Sequence, residues 1–308
     1  MHYSFSVFLN ASKRVDIYLS ALFSDFSRSY IQKLIDSWQV SVNSEVINKN
    51  IKIKPRDEIR LYIKVEWTDL KPENIFLDIV YEDKDILVIN KDAWINVHPV
   101  PGNSWRTWTL VNAILYHCKN KLPCINWVER PWIVHRLDKD TSWVMMIAKT
   151  DYMMNYLSKT IKDREVDKYY IAIVSWIMKD KNFKIESYIW RDANDRNKMT
   201  TINPINPKIA LSYGETIWYI DNKYSVLKVK IETWRTHQIR VHLASIWYPI
   251  IWDKVYWNKS LNKDIIGRYG LERQALHASD LYLKLYNKDF HFNAPLKDDI
   301  LFIFNKLD

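Results

Sequence analysis

Charged and aromatic residues able to act together on a substrate are concentrated in a few short runs of this sequence. IVHRLDKDTSW (133–143) places His135, Arg136, Asp138, Lys139 and Asp140 within six residues, between two apolar stretches. Read as a strand, the segment puts Ile133, His135 and Leu137 on one face and Val134, Arg136 and Asp138 on the other. A cation and a carboxylate then project side by side from a rigid element, which suits a carboxylate kept ionised for nucleophilic or general-base work; a solvated loop is the plainer alternative. RTHQIRVH (235–242) forms the second cluster. On a helix His237, Arg240 and Ala244 share a face opposite an apolar stripe of Ile239, Leu243 and Ile246, so that Arg240 can pair with a carboxylate such as Asp138. His237 and His242 are five apart and fall on different faces, which disfavours a shared metal. In DKYYIAIV (167–174) Tyr169 and Tyr170 point to opposite faces of a strand, one to the core and one to the site. The stiff turn VHPVPGN (97–103) could line a cleft.

These runs need a scaffold, and the periodicities supply one. Residues 1 to about 65 form a separate small unit: a helix around Arg14–Phe23, a second helix in SRSYIQKLIDSWQV, then a β-like stretch. In the second helix Ile31, Leu34 and Ile35 recur at helical spacing, Ser27 is placed to cap the N-terminus, and Arg28, Gln32 and Lys33 line the opposite face. A linker over 66–80 leads into a domain spanning 81–308, where strands alternate with short helices: DILVINK, WVMMIAKT, KYYIAIVSW and YSVLKVKIET as strands, TLVNAILYHC, DYMMNYLSKTIKD and RTHQIRVHLASI as helices.

With 48% hydrophobic and 26% charged residues in 308, the composition excludes disorder, collagen and a disulfide scaffold. The formal charge of +9 favours a polyanionic partner. Cys118 and Cys124 lack a second pair, so free thiols in a reducing compartment are expected, with no metal. The N-terminus has no basic region before an apolar core, and no apolar run approaches the roughly 18 residues of a membrane span. Cytoplasmic location without a membrane partner is the expectation.

In order and spacing, IVHRLDKDTS, RTHQIRVHL, VHPVPGN, IWRDANDRNKM (189–199), IIWDKVYW and RQALHASDL resemble the motifs of the RluA-type RNA pseudouridine synthases. SRSYIQKLIDSWQVSVN resembles the ribosomal S-four-type RNA-binding module that precedes this domain in many members. The resemblance covers nearly the whole chain. It implies an α+β fold with a mixed, mainly antiparallel sheet in the catalytic domain and a small N-terminal α/β RNA-binding domain. It also implies a cytoplasmic monomer that isomerises uridine in RNA without cofactor or metal, most simply in large-subunit ribosomal RNA. Transfer RNA as substrate, or a non-catalytic RNA-binding assembly factor, are the alternatives. Asp138 matches the family's catalytic carboxylate, Arg240 the arginine paired with it, and Tyr170 the tyrosine that stacks on the target base. Arg136 matches the arginine that enters the space left by a flipped nucleotide, while Arg235, His237, Arg28 and Lys33 are expected to hold RNA.

The departures from the family share a pattern. DTSG becomes DTSW at Trp143, RPGIVHRLD becomes RPWIVHRLD at Trp132, and TGRTHQIR becomes TWRTHQIR at Trp234. Trp108, Trp190, Trp247 and Trp252 likewise stand at family glycines, and Trp38, Trp94, Trp176 and Trp257 fit the same pattern. The chain has 15 Trp and only 4 Gly, and their sum of 19 is close to the roughly 20 glycines of an average protein this long. Eleven such replacements would cost roughly 10–30 kcal/mol in strain and overpacking, against a native stability of about 5–15. The expectation is a gene that uses UGA for glycine, as some bacterial lineages do, translated as though UGA encoded Trp, with crowding near the active site wherever Trp is taken literally.

Overall fold

A computed structural model describes residues 2–8, 12–23, 28–62, 70–98, 107–119, 122, 132–134, 138, 140–195, 198–202, 207–257 and 271–305. The described residues fall into two compact units, one within the first 69 residues joined by Trp132, the other from Leu70 onward. Among the described residues no helix is long and apolar enough to cross a membrane.

The N-terminal unit carries helices α1 (Val15–Leu22) and α2 (Arg28–Asp36) with strands β1 (His2–Ser6), β2 (Lys13–Arg14), β3 (Val40–Val42), β4 (Glu45–Val46), β5 (Lys52–Ile53) and β6 (Glu58–Tyr62). Four strands form an antiparallel sheet in the order β1-β6-β3-β4, and β2 pairs with β5. EIRLY in β6 alternates exposed and buried, the period of two expected of a half-covered sheet. The expected stripe of α2 is the buried one: Ile31, Leu34 and Ile35 enter the core with Val15, Leu19, Ile59 and Leu61. Asp16 is fully buried between the helices and accepts hydrogen bonds from Arg14, from Arg28 Nε at 3.0 Å and from Gln32 Nε2 at 2.6 Å. Burial pushes its carboxyl up, but the donors from Arg14, Gln32 and Arg28 outweigh it and hold the pKa at about 2. Part of the polar face of α2 therefore serves the fold. Ser27, the expected cap, lies outside the described residues.

In the second unit one ten-stranded sheet runs β12-β11-β13-β14-β10-β15-β9-β8-β7, with β16 also on β15. Its strands are β7 (Ile79–Glu82), β8 (Ile86–Lys91), β9 (Ser142–Ala148), β10 (Asp167–Ser175), β11 (Asn182–Arg191), β12 (Met199–Thr200), β13 (Lys208–Ile220), β14 (Tyr224–Ile231), β15 (Leu276–Leu285) and β16 (Lys288–Asn293). The helices are α3 (Leu110–His117), α4 (Asp151–Lys162), α5 (Gln238–Ser245) and α6 (Asp298–Asn305). Among the described residues every pairing between these strands is antiparallel except β15 with β9, the mixed, mainly antiparallel α+β fold expected. β8 and β9 are buried along their whole length, which explains their unbroken apolar runs. Thr150 caps α4 by accepting from Met153 N, and Thr109 makes a capping box with Asn112 at the start of α3.

Three features of this sheet position the site. β10 lies between β14 and β15, with a register shift between Tyr169 and Tyr170 where β15 contributes an extra residue, Ser279. The short parallel pairing His277↔Ser142 and Ala278↔Trp143 brings the first residues of β9 beside β15, one strand from β10. The chain before β9 is pinned by buried Arg273, which donates to Ser142 Oγ (3.1 Å) and the Asp140 carbonyl (3.4 Å) while forked onto Asp299.

The backbone also answers to the tryptophan pattern. Of the twelve described tryptophans, five have left-handed φ: Trp38 (61°), Trp108 (58°), Trp176 (71°), Trp247 (69°) and Trp252 (68°). For a bulky side chain this region is a genuine outlier, whereas glycine enters it freely. At the end of α2, Trp38 N bonds Ile35 O and Gln39 N bonds Leu34 O; at the end of α5, Trp247 N bonds Ala244 O and Tyr248 N bonds Leu243 O. Both are Schellman motifs with Trp at the position that favours glycine. Trp252 is buried as well, and its indole N–H has no hydrogen-bond partner among the described residues. Gly214, by contrast, stands where a Cβ would collide with the Phe183 ring.

Candidate active site

A cleft of about 470 Å³ opens where β10, the residues before β9 and the start of α5 converge, lined by Asp138, Tyr170, Arg235, His237 and Arg240 among others. Asp138 is not on a strand. The described residues around it, Ile133, Val134 and Asp140, make only an isolated bridge from Ile133 to Ile147 and a turn closed by Thr141 N on the Asp138 carbonyl. Asp138 therefore sits in a turn at the foot of β9 and not on the alternating strand expected. Arg136 lies outside the described residues.

α5 also departs from expectation. Gln238, Ile239, Arg240, Val241, His242 and Leu243 are all buried, so this stretch of the helix presents no open polar face. Arg240 reaches its partners from within the protein. Its guanidinium forks onto Asp253, Nε to Oδ2 at 2.6 Å and Nη2 to Oδ1 at 2.8 Å, and its remaining Nη1 donates to Asp138 Oδ2 at 2.7 Å. Asp253 is completely buried and also accepts from the backbone N–H groups of Val255 and Tyr256. It fixes the plane of the guanidinium and so the direction of the bond to Asp138. Arg240 loses solvation by burial, but its bonds to Asp253 and Asp138 raise its pKa, keeping it charged.

His237 is the N-cap of α5, with a left-handed φ of 56° and no side-chain capping bond. Its Nε2 lies 3.5 Å from Asp138 Oδ1, and its Nδ1 lies 3.0 Å from the Tyr256 hydroxyl. Tyr256 is anchored in turn on the Met199 backbone, and its ring lies 5.2 Å from the Arg240 guanidinium. Burial lowers the His237 pKa despite the charge of Asp138, so the ring is neutral at pH 7. Of the two tyrosines, Tyr170 is buried against the cleft; Tyr169 lies on the other face, edge-on to Tyr282. Burial and then the nearby Asp138 charge raise the Tyr170 pKa, so it stays a neutral phenol. Arg235 lines the cleft and donates to the Ile209 carbonyl.

Asp253, Tyr256 and Lys168 are cleft or supporting residues that sequence reasoning passed over. The run IIWDKVYW held two of them, but a lone Asp and Tyr in a turn carry no periodic signal.

His242 is buried behind the site, with Nδ1 at 2.9 Å from Ser212 Oγ, and burial pushes its pKa down to about 4. Its folded pKa lies below the unfolded value near 6.5, so as pH falls through that window the unfolded state takes up the proton first and stability drops. The loss approaches roughly 3 kcal/mol near pH 4. Thermal melts from pH 7 to 4 should show this slope, reduced in His242→Asn; an identical slope in the variant would exclude His242 as a source.

Residues 85–245 match the family model for RNA pseudouridylate synthase. A protein of Aquifex aeolicus described as an uncharacterized RNA pseudouridine synthase is 41% identical over 240 residues, covering 77% of this chain and 75% of its own. The ribosomal large subunit pseudouridine synthase D of Buchnera aphidicola is 37% identical, covering 94% of this chain and 93% of its own. Among solved structures, human RNA pseudouridylate synthase domain containing 1 shares the fold with a TM-score of 0.59 at 24% identity, over 72% of this chain and 84% of that one. With a buried arginine joining two carboxylates beside a cleft tyrosine, and with these relatives along most of its length, the chain belongs to the RNA pseudouridylate synthase family.

Proposed function

We propose that the chain isomerises uridines of large-subunit ribosomal RNA to pseudouridine, with Asp138 as its catalytic carboxylate. The observation that carries this reading is Arg240 suspended between Asp253 and Asp138, with one Asp138 oxygen bonded and the carboxylate facing the cleft beside Tyr170. Attack on the sugar, attack on the base and abstraction of a sugar proton all use that carboxylate, and Arg240 fixes its position at the cleft by donating to Oδ2. Tyr170 stacks on the uracil after the nucleotide leaves the RNA helix, a step costing a few kcal/mol that Arg136 offsets by filling the vacated space. Arg235 and His237 hold the nucleotide at the mouth of the cleft. Residues 1–65 act as an RNA-binding module joined through 66–80 to the catalytic domain, with Lys33 and the exposed part of Arg28 on RNA phosphates. The enzyme acts as a cytoplasmic monomer. Ribosomal RNA is favoured over transfer RNA by the relatives named as large-subunit enzymes. Mapping pseudouridines in cells with and without the gene tests this: sites lost from large-subunit RNA support it, and sites lost only from transfer RNA overturn the substrate.

A further inference from the structure

We propose that residues 143 and 234 are glycine in the protein the cell makes, and that Lys168, uncovered there, is a further substrate-contacting cation of the cleft. The inference rests on the assignment of this cleft to uridine isomerisation.

Lys168 and Tyr170 are two residues apart on β10, both buried, and both line the cleft. They therefore project from one face of the strand toward the same space. The Lys168 ammonium lies under two indoles, its Nζ 3.6 Å from the centroid of the Trp234 ring and 4.5 Å from that of Trp143. Both rings also line the cleft, and Trp143 is 1% exposed. Taken literally, two of the largest side chains fill the floor of a binding site and seal a lysine from solvent. Burial there drives the lysine toward its neutral form.

Trp143 and Trp234 do not themselves have left-handed φ, but they belong to a chain with 15 Trp and only 4 Gly. Five others occupy left-handed backbone, two of them at the glycine position of a Schellman motif, and one buries an indole N–H without a partner among the described residues. One codon read as Trp instead of Gly accounts for the whole set at once. With glycine at 143 and 234, water and substrate reach Lys168, which then carries its charge beside Tyr170. There it contacts, in addition to its neighbours in the protein, an oxygen bearing negative charge: a uracil carbonyl, as the detached ring gains the electron pair of the glycosidic bond, or a phosphate flanking the flipped nucleotide.

The experiment has three readings. Peptide mass spectrometry of the enzyme isolated from its source cells should find glycine at 143 and 234; tryptophan there, or UGG codons, overturns the proposal. In the glycine-bearing enzyme, amine acylation should label Lys168 and bound RNA should protect it, a test that needs no variant; a Lys168 that is not labelled, or labelled equally with RNA, overturns its role. Lys168→Met should lose about 10²-fold in kcat if the contact is a uracil carbonyl, or raise KM with a shallower salt dependence if it is a phosphate, with partial rescue in Lys168→Arg. Unchanged kcat and KM in a folded Lys168→Met protein overturns it too. Asp138→Asn in the same background separates the two readings: an inactive Asp138→Asn beside a fully active Lys168→Met sinks only the lysine, and an active Asp138→Asn sinks the catalytic assignment.

Discussion

Asp138→Asn is expected to reduce pseudouridine formation by at least about four orders of magnitude while leaving the fold and RNA affinity nearly intact. The amide keeps the shape of the carboxylate and keeps an oxygen to accept from Arg240 Nη1, now at 2.7 Å from Oδ2. What it loses is the negative charge and the lone pairs needed for nucleophilic or basic chemistry. Arg240 does not become an unbalanced buried cation, because its fork onto Asp253 is untouched. Asp138 is itself partly open to the cleft, with 18% of its side chain exposed, so the change in stability should stay within about 1 kcal/mol. Affinity for RNA generally rests on cations that meet phosphates, and Asp138 is not one of them. Tritium release from labelled uridine in an RNA substrate, with a filter-binding titration, measures both. Modification at the wild-type rate would remove Asp138 from the chemistry.

What could be read in the sequence divides along physical lines. Where one face of an element is buried and the other wet, period and element agreed: the stripe of Ile31, Leu34 and Ile35 in α2, and the opposed Tyr169 and Tyr170 in β10. α5 defeated the same reasoning, because its residues from Gln238 to Leu243 are buried on every side, and Arg240 proves to be held from inside by Asp253. His237 fell on the expected helix but takes a left-handed φ at its cap, which no spacing rule foresees. Asp138 was chosen through strand alternation, yet its placement depends on Arg273 and on a two-residue parallel pairing, contacts more than 130 positions apart. Non-local contacts of this kind leave no local trace. The Trp and Gly counts were legible from the start, and the left-handed tryptophans give that count a conformational meaning.

Replacing Arg240 should damage both activity and stability, and the two effects can be separated. Arg240→Met removes the three hydrogen bonds that join Asp138 to Asp253 and leaves Asp253, completely buried, with the backbone N–H groups of Val255 and Tyr256 as its donors among the described residues. Breaking one side of a buried ion pair costs about 3–5 kcal/mol because the remaining charge is uncompensated. Against a native stability of about 5–15 kcal/mol that is a large part of the whole. Arg240→Lys should be little better, since one ammonium cannot reproduce a planar fork toward Asp253 together with a third bond in a different direction. The double variant Arg240→Met, Asp253→Asn removes the stranded charge and should recover most of the stability lost in the single variant. It should not recover activity, because Asp138 still lacks the fixed hydrogen-bond donor that aims it into the cleft. Urea titrations and turnover of the wild type, both single variants and the double variant decide the matter. Stability and activity returning together would mean that Arg240 serves only the fold; stability returning alone assigns it to the positioning of Asp138.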